Sequence, residues 1–176
     1  LMPLEEGSIL YAEVADVQKG ESGTPGQLQG TFQVSRDLGR LSANTGCGIF
    51  GILDDLDMTS GLSAVPVASR DEVVTGEATI LSNIDGDEVK EYTIEITKIF
   101  TESATDSRDF MIKVTDPVLL DATGGIVQGQ SGSPILQNGK LIGAVTHVLV
   151  GDPTSGYAIS AQRMLAQAEL SEGGAA

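Results

Sequence analysis

Gly129-Gln130-Ser131-Gly132-Ser133-Pro134-Ile135-Leu136-Gln137-Asn138-Gly139-Lys140-Leu141-Ile142-Gly143-Ala144-Val145 runs a glycine-flanked serine directly into a hairpin. Asn-Gly between two apolar runs is the strongest short hairpin signal, because both central residues must take positive φ. Simple register across that turn places Ser131 near Thr146 and Gln130 near His147. Upstream, Tyr92-Thr93-Ile94-Glu95-Ile96-Thr97 alternates apolar and polar residues with the strand period. Residues 77–81 read as its partner, with Asp85-Gly86-Asp87 as the turn. Further strands are expected at 8–17, 28–34, 49–53, 64–68 and 111–114. Only residues 160–170 read as a helix, with Ser160 as its N-cap, and 171–176 as a frayed tail. Many short strands with one terminal helix predict an all-β barrel or sandwich.

The chain has 176 residues, with 25 acidic against 10 basic side chains and a net charge of −15. Such a surface repels phosphate, which argues against nucleic acid and anionic membrane faces as partners. Aromatics are 4% and Trp is absent, too few for a base-stacking platform. One cysteine, Cys47, allows neither an intramolecular disulfide nor a cysteine-rich zinc site. No D-x-D-x-D-G calcium loop occurs. No cofactor and no metal are therefore expected. No apolar run reaches the roughly 18 residues of a membrane span, so direct membrane insertion by this segment is not expected.

The chemistry concentrates in Gly129 to Pro134. Flanking glycines permit a tight turn that exposes the Ser131 hydroxyl and turns successive amides into one concavity. The N–H groups of Gly129 and Ser131 could hold an oxyanion there. The strand beside the serine, carrying Thr146 and His147, is where an extended substrate could pair. A plain Gly/Ser-rich loop leading into a hairpin is the competing reading. Asp116, in Thr115-Asp116-Pro117, is either an acid partner of the serine or a turn-forming Asp before proline.

Gly124 to Ile135, Gly143-Ala144-Val145-Thr146-His147-Val148 and Asp152-Pro153-Thr154-Ser155-Gly156-Tyr157 together resemble the SpoIVB peptidases, sporulation signalling serine endopeptidases. The likeness extends to Leu1-Met2-Pro3, Gly23-Thr24-Pro25-Gly26, 45–51 and 112–117. It implies a chymotrypsin-like double β-barrel over residues 1–170, with the two sub-barrels meeting at about 65–80, and a His–Asp–Ser triad. Carried over, Ser131 is the nucleophile, Asp116 the orienting acid, Gly129 and Ser131 the oxyanion donors, and Thr146 the hydroxyl residue beside the acid. The family's histidine falls just upstream of Leu1. The resemblance also implies an upstream membrane anchor and PDZ domain, a location between the two forespore membranes, and a SpoIVFA-like membrane-bound regulator as protein substrate.

Three further residues or groups have two readings each. His147 is a cleft-wall or structural histidine, or else the base. Cys47 is a small strand-edge thiol, or else a second nucleophile. Asp54, Asp55 and Asp57 form a solvated loop, or else hold a cation. Two functions compete: a serine endopeptidase, and a catalytically silent barrel that binds an extended peptide or scaffolds a membrane complex. Ser131 together with Asp116 favours the first.

Overall fold

The computed structural model describes residues 7–100 and 107–173. Chain order is β1 (Ser8–Gln18), β2 (Gln27–Thr45), β3 (Gly48–Leu53), β4 (Gly76–Asn83), β5 (Val89–Ile99), β6 (Phe110–Val114), α1 (Pro117–Thr123), β7 (Pro134–Gln137), β8 (Lys140–Leu149), β9 (Asp152–Ser160) and α2 (Ala161–Gly173). Strands β4-β5-β6-β9-β8-β7 close a six-stranded antiparallel barrel. Among the described residues the first unit is an open sheet, β1-β2-β3. The chain crosses between the two through 54–75, which holds two short 3-10 turns at Leu56–Thr59 and Arg70–Glu72.

The barrel forms because its strands alternate cleanly. Ile80, Ile94, Ile96, Phe110, Ile112 and Ile135 are wholly buried inside it. The Asn138-Gly139 turn takes φ of 53° and 75°, as a two-residue hairpin with right-handed strand twist requires. Its simple register holds only at the turn: Gln137 pairs with Lys140 and Leu136 with Leu141, then a bulge shifts Ile135 onto Gly143. Ser160 does cap α2, its Oγ accepting from the Arg163 amide at 3.3 Å. The frayed tail was expected from residue 171, yet α2 continues to Gly173; residues 174–176 lie outside the described residues.

Four elements differ from expectation. β2 does not stop at Val34 but runs 19 residues to Thr45, its register slipping against both neighbours. Bulges let the strand bend through Asp37 and Gly39, which read locally as a break. Residues 64–68 form no strand; Val67 makes one isolated parallel bridge to Leu141. Pro66 has no N–H to give to a ladder. β9 was not anticipated, since Asp-Pro-Thr-Ser-Gly reads as a turn; Pro153 is tolerated as the second residue of the strand. The short helix α1 was also missed, although Asp116 followed by proline is a helix-start signal.

The two units differ sharply in burial. Phe32 and Val34 on β2 stay 68% and 82% exposed, while the barrel interior is sealed. Stability should therefore reside in the barrel. Ile112→Ala should cost about 2–5 kcal/mol, and Phe32→Ala about 0.5 kcal/mol or less. Urea unfolding of both variants checks this; a larger loss at Phe32 would show that the sheet carries the fold.

Candidate active site

The loop from Val127 to Ser133 joins α1 to β7 and presents Ser131 at its tip. Gly129 and Gly132 hold φ of 101° and 92°, a region that side chains other than glycine enter only with strain. The Gly132 amide donates to Val145 O at 2.8 Å, and the Val145 amide to Ser133 O at 3.0 Å, so the loop is stitched to β8. Ser131 is exposed, and its Oγ donates to Thr146 O at 3.2 Å. The amides of Gln130, Gly132 and Ser133 are all engaged, whereas those of Gly129 and Ser131 donate to nothing among the described residues. An unpaired pair of amides flanking an exposed hydroxyl is the chemistry an oxyanion needs.

Ser131 lines a cleft of about 420 Å³ between the sheet and the barrel. Its walls include the β2–β3 turn from Thr45 to Phe50, and Ala144 to His147 of β8. Ser133 is not part of the lining. Thr146 and His147 therefore share the cleft with Ser131. The Thr146 hydroxyl reaches Ser107 O at 3.1 Å and Tyr157 O at 3.2 Å. His147 is exposed on the strand and pairs with Tyr157. Cys47 is half-buried and free in the turn opposite Ser131. Asp54 pairs with Arg40 at 2.9 Å, and Asp55 caps the 3-10 turn after it by accepting from the Asp57 amide.

Asp116 lies elsewhere. It stands at the end of β6, and β9 intervenes between β6 and the β8 strand that carries Thr146. It is not among the cleft-lining residues. Its Oδ1 accepts from the amides of Val118 and Leu119 at 2.9 and 3.1 Å, and its Oδ2 from the Thr93 amide at 3.2 Å. Asp116 is thus the N-cap of α1, with Pro117 at the first helical position. Partial burial pushes its pKa up, but the amides of Leu119, Thr93 and Val118 outweigh that and hold the carboxyl below the usual aspartate range.

Sequence reading overlooked three contributors. Ser107 is buried, donates to Gly46 O in the opposite cleft wall, and accepts from Thr146 through its own carbonyl. Asp109, wholly buried, accepts from the Ser160 amide at 2.9 Å and meets Arg163 and Arg70 at 3.3 and 3.6 Å, fixing α2 beside the cleft. Gln130 turns inward rather than toward His147. Ser107 and Asp109 depend on partners distant in sequence, and Gln130 on Ser82 as well as on its neighbour Val127, so no local signal marks them.

Removal of the Asp116 cap by Asp116→Ala should cost about 0.5–2 kcal/mol. Because the folded pKa is depressed, that stability is present above the unfolded value of about 3.9 and is lost as pH falls through the folded pKa. Urea midpoints compared between pH 7 and pH 3 check it: the gap between wild type and variant should narrow on acidification.

The SpoIVB peptidase S55 family model matches residues 1–165. No curated protein matches the chain significantly. Several solved structures match its fold. Among them is Rv3671c from M. tuberculosis H37Rv, crystallised as a serine-to-alanine mutant in an inactive form, with a TM-score of 0.57 at 12% identity over 92% of this chain and 86% of that one. That likeness is to a chymotrypsin-like, trypsin-type fold. With the family model spanning nearly the whole length, and a glycine-framed serine exposed on the cleft between sheet and barrel, this chain belongs to the SpoIVB peptidase S55 family of serine endopeptidases.

Proposed function

We propose that Ser131 is the nucleophile, and that it cleaves an extended polypeptide held in the cleft between β8 and the β2–β3 turn. The observation that carries this reading is the exposed Ser131 hydroxyl beside the two unengaged amides of Gly129 and Ser131. Ser131 Oγ attacks the scissile carbonyl carbon while an imidazole takes its proton. The carbonyl oxygen becomes an oxyanion and accepts from the Gly129 and Ser131 amides. Return of the proton to the leaving amine expels it and leaves an acyl-serine, which water then hydrolyses.

The base in this reading is the imidazole that the family resemblance puts upstream of Leu1. His147 lines the cleft on β8 and serves substrate contact. Asp116 serves as scaffold: its position beyond β9 and its three amide partners support a capping role over one on the imidazole. The substrate we infer from the resemblance is a membrane-bound sporulation regulator of the SpoIVFA type, met in the space between the two forespore membranes. The acidic surface, with its net charge of −15, would favour basic segments of such a partner on approach.

Mutants of the intact protease test the assignments. Ser131→Ala should lower kcat by several orders of magnitude, because the acyl-enzyme can no longer form. Ser133→Ala and His147→Ala should each retain a large share of activity. Asp116→Asn should lose some stability yet keep kcat within about tenfold, whereas a group that orients the base would cost about 10⁴-fold. An active Ser131→Ala enzyme would refute the nucleophile. A 10⁴-fold loss in Asp116→Asn without loss of fold would return Asp116 to the imidazole.

A further inference from the structure

We propose that Gln130 is the positioning residue for the oxyanion-binding amides, acting from inside the nucleophile loop; this rests on the reading of Ser131 as nucleophile. Gln130 immediately precedes an exposed serine yet is only 1% exposed itself. Its side-chain Oε1 accepts from the Val127 amide at 2.9 Å, and its Nε2 donates to Ser82 Oγ on β4 at 3.1 Å. Its own amide donates to Val127 O at 3.2 Å, and its carbonyl accepts from the Ser133 amide at 3.0 Å. The loop from Val127 to Ser133 is therefore wrapped around one buried amide side chain, and that side chain is tied to the barrel wall.

The loop requires such a restraint. Gly129 has no side chain to pack, and at φ 101° its backbone is free to leave that conformation at little cost. On the outer side, Gln128 is fastened by backbone bonds: its amide donates to Gly26 O at 2.9 Å, and its carbonyl accepts from the Leu28 amide at 2.8 Å. Gln130 supplies the inner restraint. With both in place, the amides of Gly129 and Ser131 keep fixed directions, and preorganised donors of that kind act mainly on the developing oxyanion. Loss of the inner restraint should then lower kcat and leave KM nearly unchanged. The side-chain partners of Gln130 are both uncharged, so the restraint itself should not vary with pH.

Four variants of the intact protease, assayed by hydrolysis of fluorescein-labelled casein, test this. Gln130→Leu keeps the volume and loses both bonds; kcat should fall about 10- to 100-fold with apparent KM within about twofold. Ser82→Ala removes only the tie of Gln130 to the barrel wall and should lower kcat severalfold, and the double variant should be no worse than Gln130→Leu, since both act through one contact. Gln130→Glu installs a buried acid whose pKa burial raises. Neutral, it can still make both bonds; ionised, it desolvates a charge inside the loop. Its kcat relative to wild type should therefore rise as pH falls. Should Gln130→Leu fail to fold, Ser82→Ala and Gln130→Glu still decide. The proposal is overturned if these two match wild-type kcat at every pH, or if losses appear in KM and in melting temperature alone. A dead Ser131→Ala beside a fully active Gln130→Leu would sink this inference and leave the nucleophile standing; an active Ser131→Ala would sink the underlying reading instead.

Discussion

The backbone clasp between Gln128 and the start of β2 is the contact on which the site depends. It is two hydrogen bonds, Gln128 N to Gly26 O and Leu28 N to Gln128 O. Each is worth only about 1 kcal/mol net. Their importance is geometric, because they join the open sheet to the loop from Val127 to Ser133 at the point where it turns toward Ser131. Other main-chain links run alongside: Val14 and Gly86 exchange two bonds, Gly20 donates to Thr123 O, and Gly23 to Val150 O. The sheet buries little apolar surface of its own, as Phe32 and Val34 show. Side chains add to these links, with Tyr11 donating to Asp87, Lys19 to Asp121 O and Ser22 to Gly151 O.

The opposite end of the cleft is set by a different force. Asp109 is wholly buried, an arrangement that persists only where partners compensate the lost hydration of its carboxyl group. Arg163 from α2, Arg70 from the connector and the Ser160 amide converge on it. Two residues earlier, Ser107 bonds to Gly46 in the β2–β3 turn and to Thr146, whose carbonyl accepts from Ser131. One short stretch, 107–110, therefore anchors the terminal helix, opens β6 and spans the cleft.

Local rules explain why some of this was legible in the sequence and some was not. The Asn138-Gly139 turn and the alternation at 92–97 are decided within a few residues, and the structure shows both. The tip of the loop was legible for the same reason: Gly129 and Gly132 need positive φ, and that need places Ser131 at the apex. The continuation of β2 beyond Val34, and β9, were not legible, because Gly, Ser, Asp and Pro within them are breakers locally and are overruled by pairing with strands far along the chain. Asp116 is the instructive case. Asp-Pro carried both a cap signal and, through resemblance, a catalytic one. Local chemistry puts it on the cap, where proline's missing N–H costs nothing and the carboxylate takes the free amides.

On the proposed reading of Ser131 as nucleophile, the state of its Oγ bears on which part of the site would limit reaction. In the resting geometry the hydroxyl donates to the Thr146 carbonyl at 3.2 Å, toward the long end for an O–H donor. A bond of that length at an exposed residue holds the hydroxyl weakly, by about 1 kcal/mol or less. Rotation to another staggered well about χ1 frees the proton for an acceptor in the cleft and frees the Thr146 carbonyl for a substrate amide. Both changes are productive and neither disturbs the loop, because the backbone of Gly132 and Ser133 stays bonded to Val145. The serine is thus cheap to arm. What the proposed reaction could not improvise is a fixed pair of amides at Gly129 and Ser131, for which the clasp outside the loop and the buried amide within it are the restraints we propose.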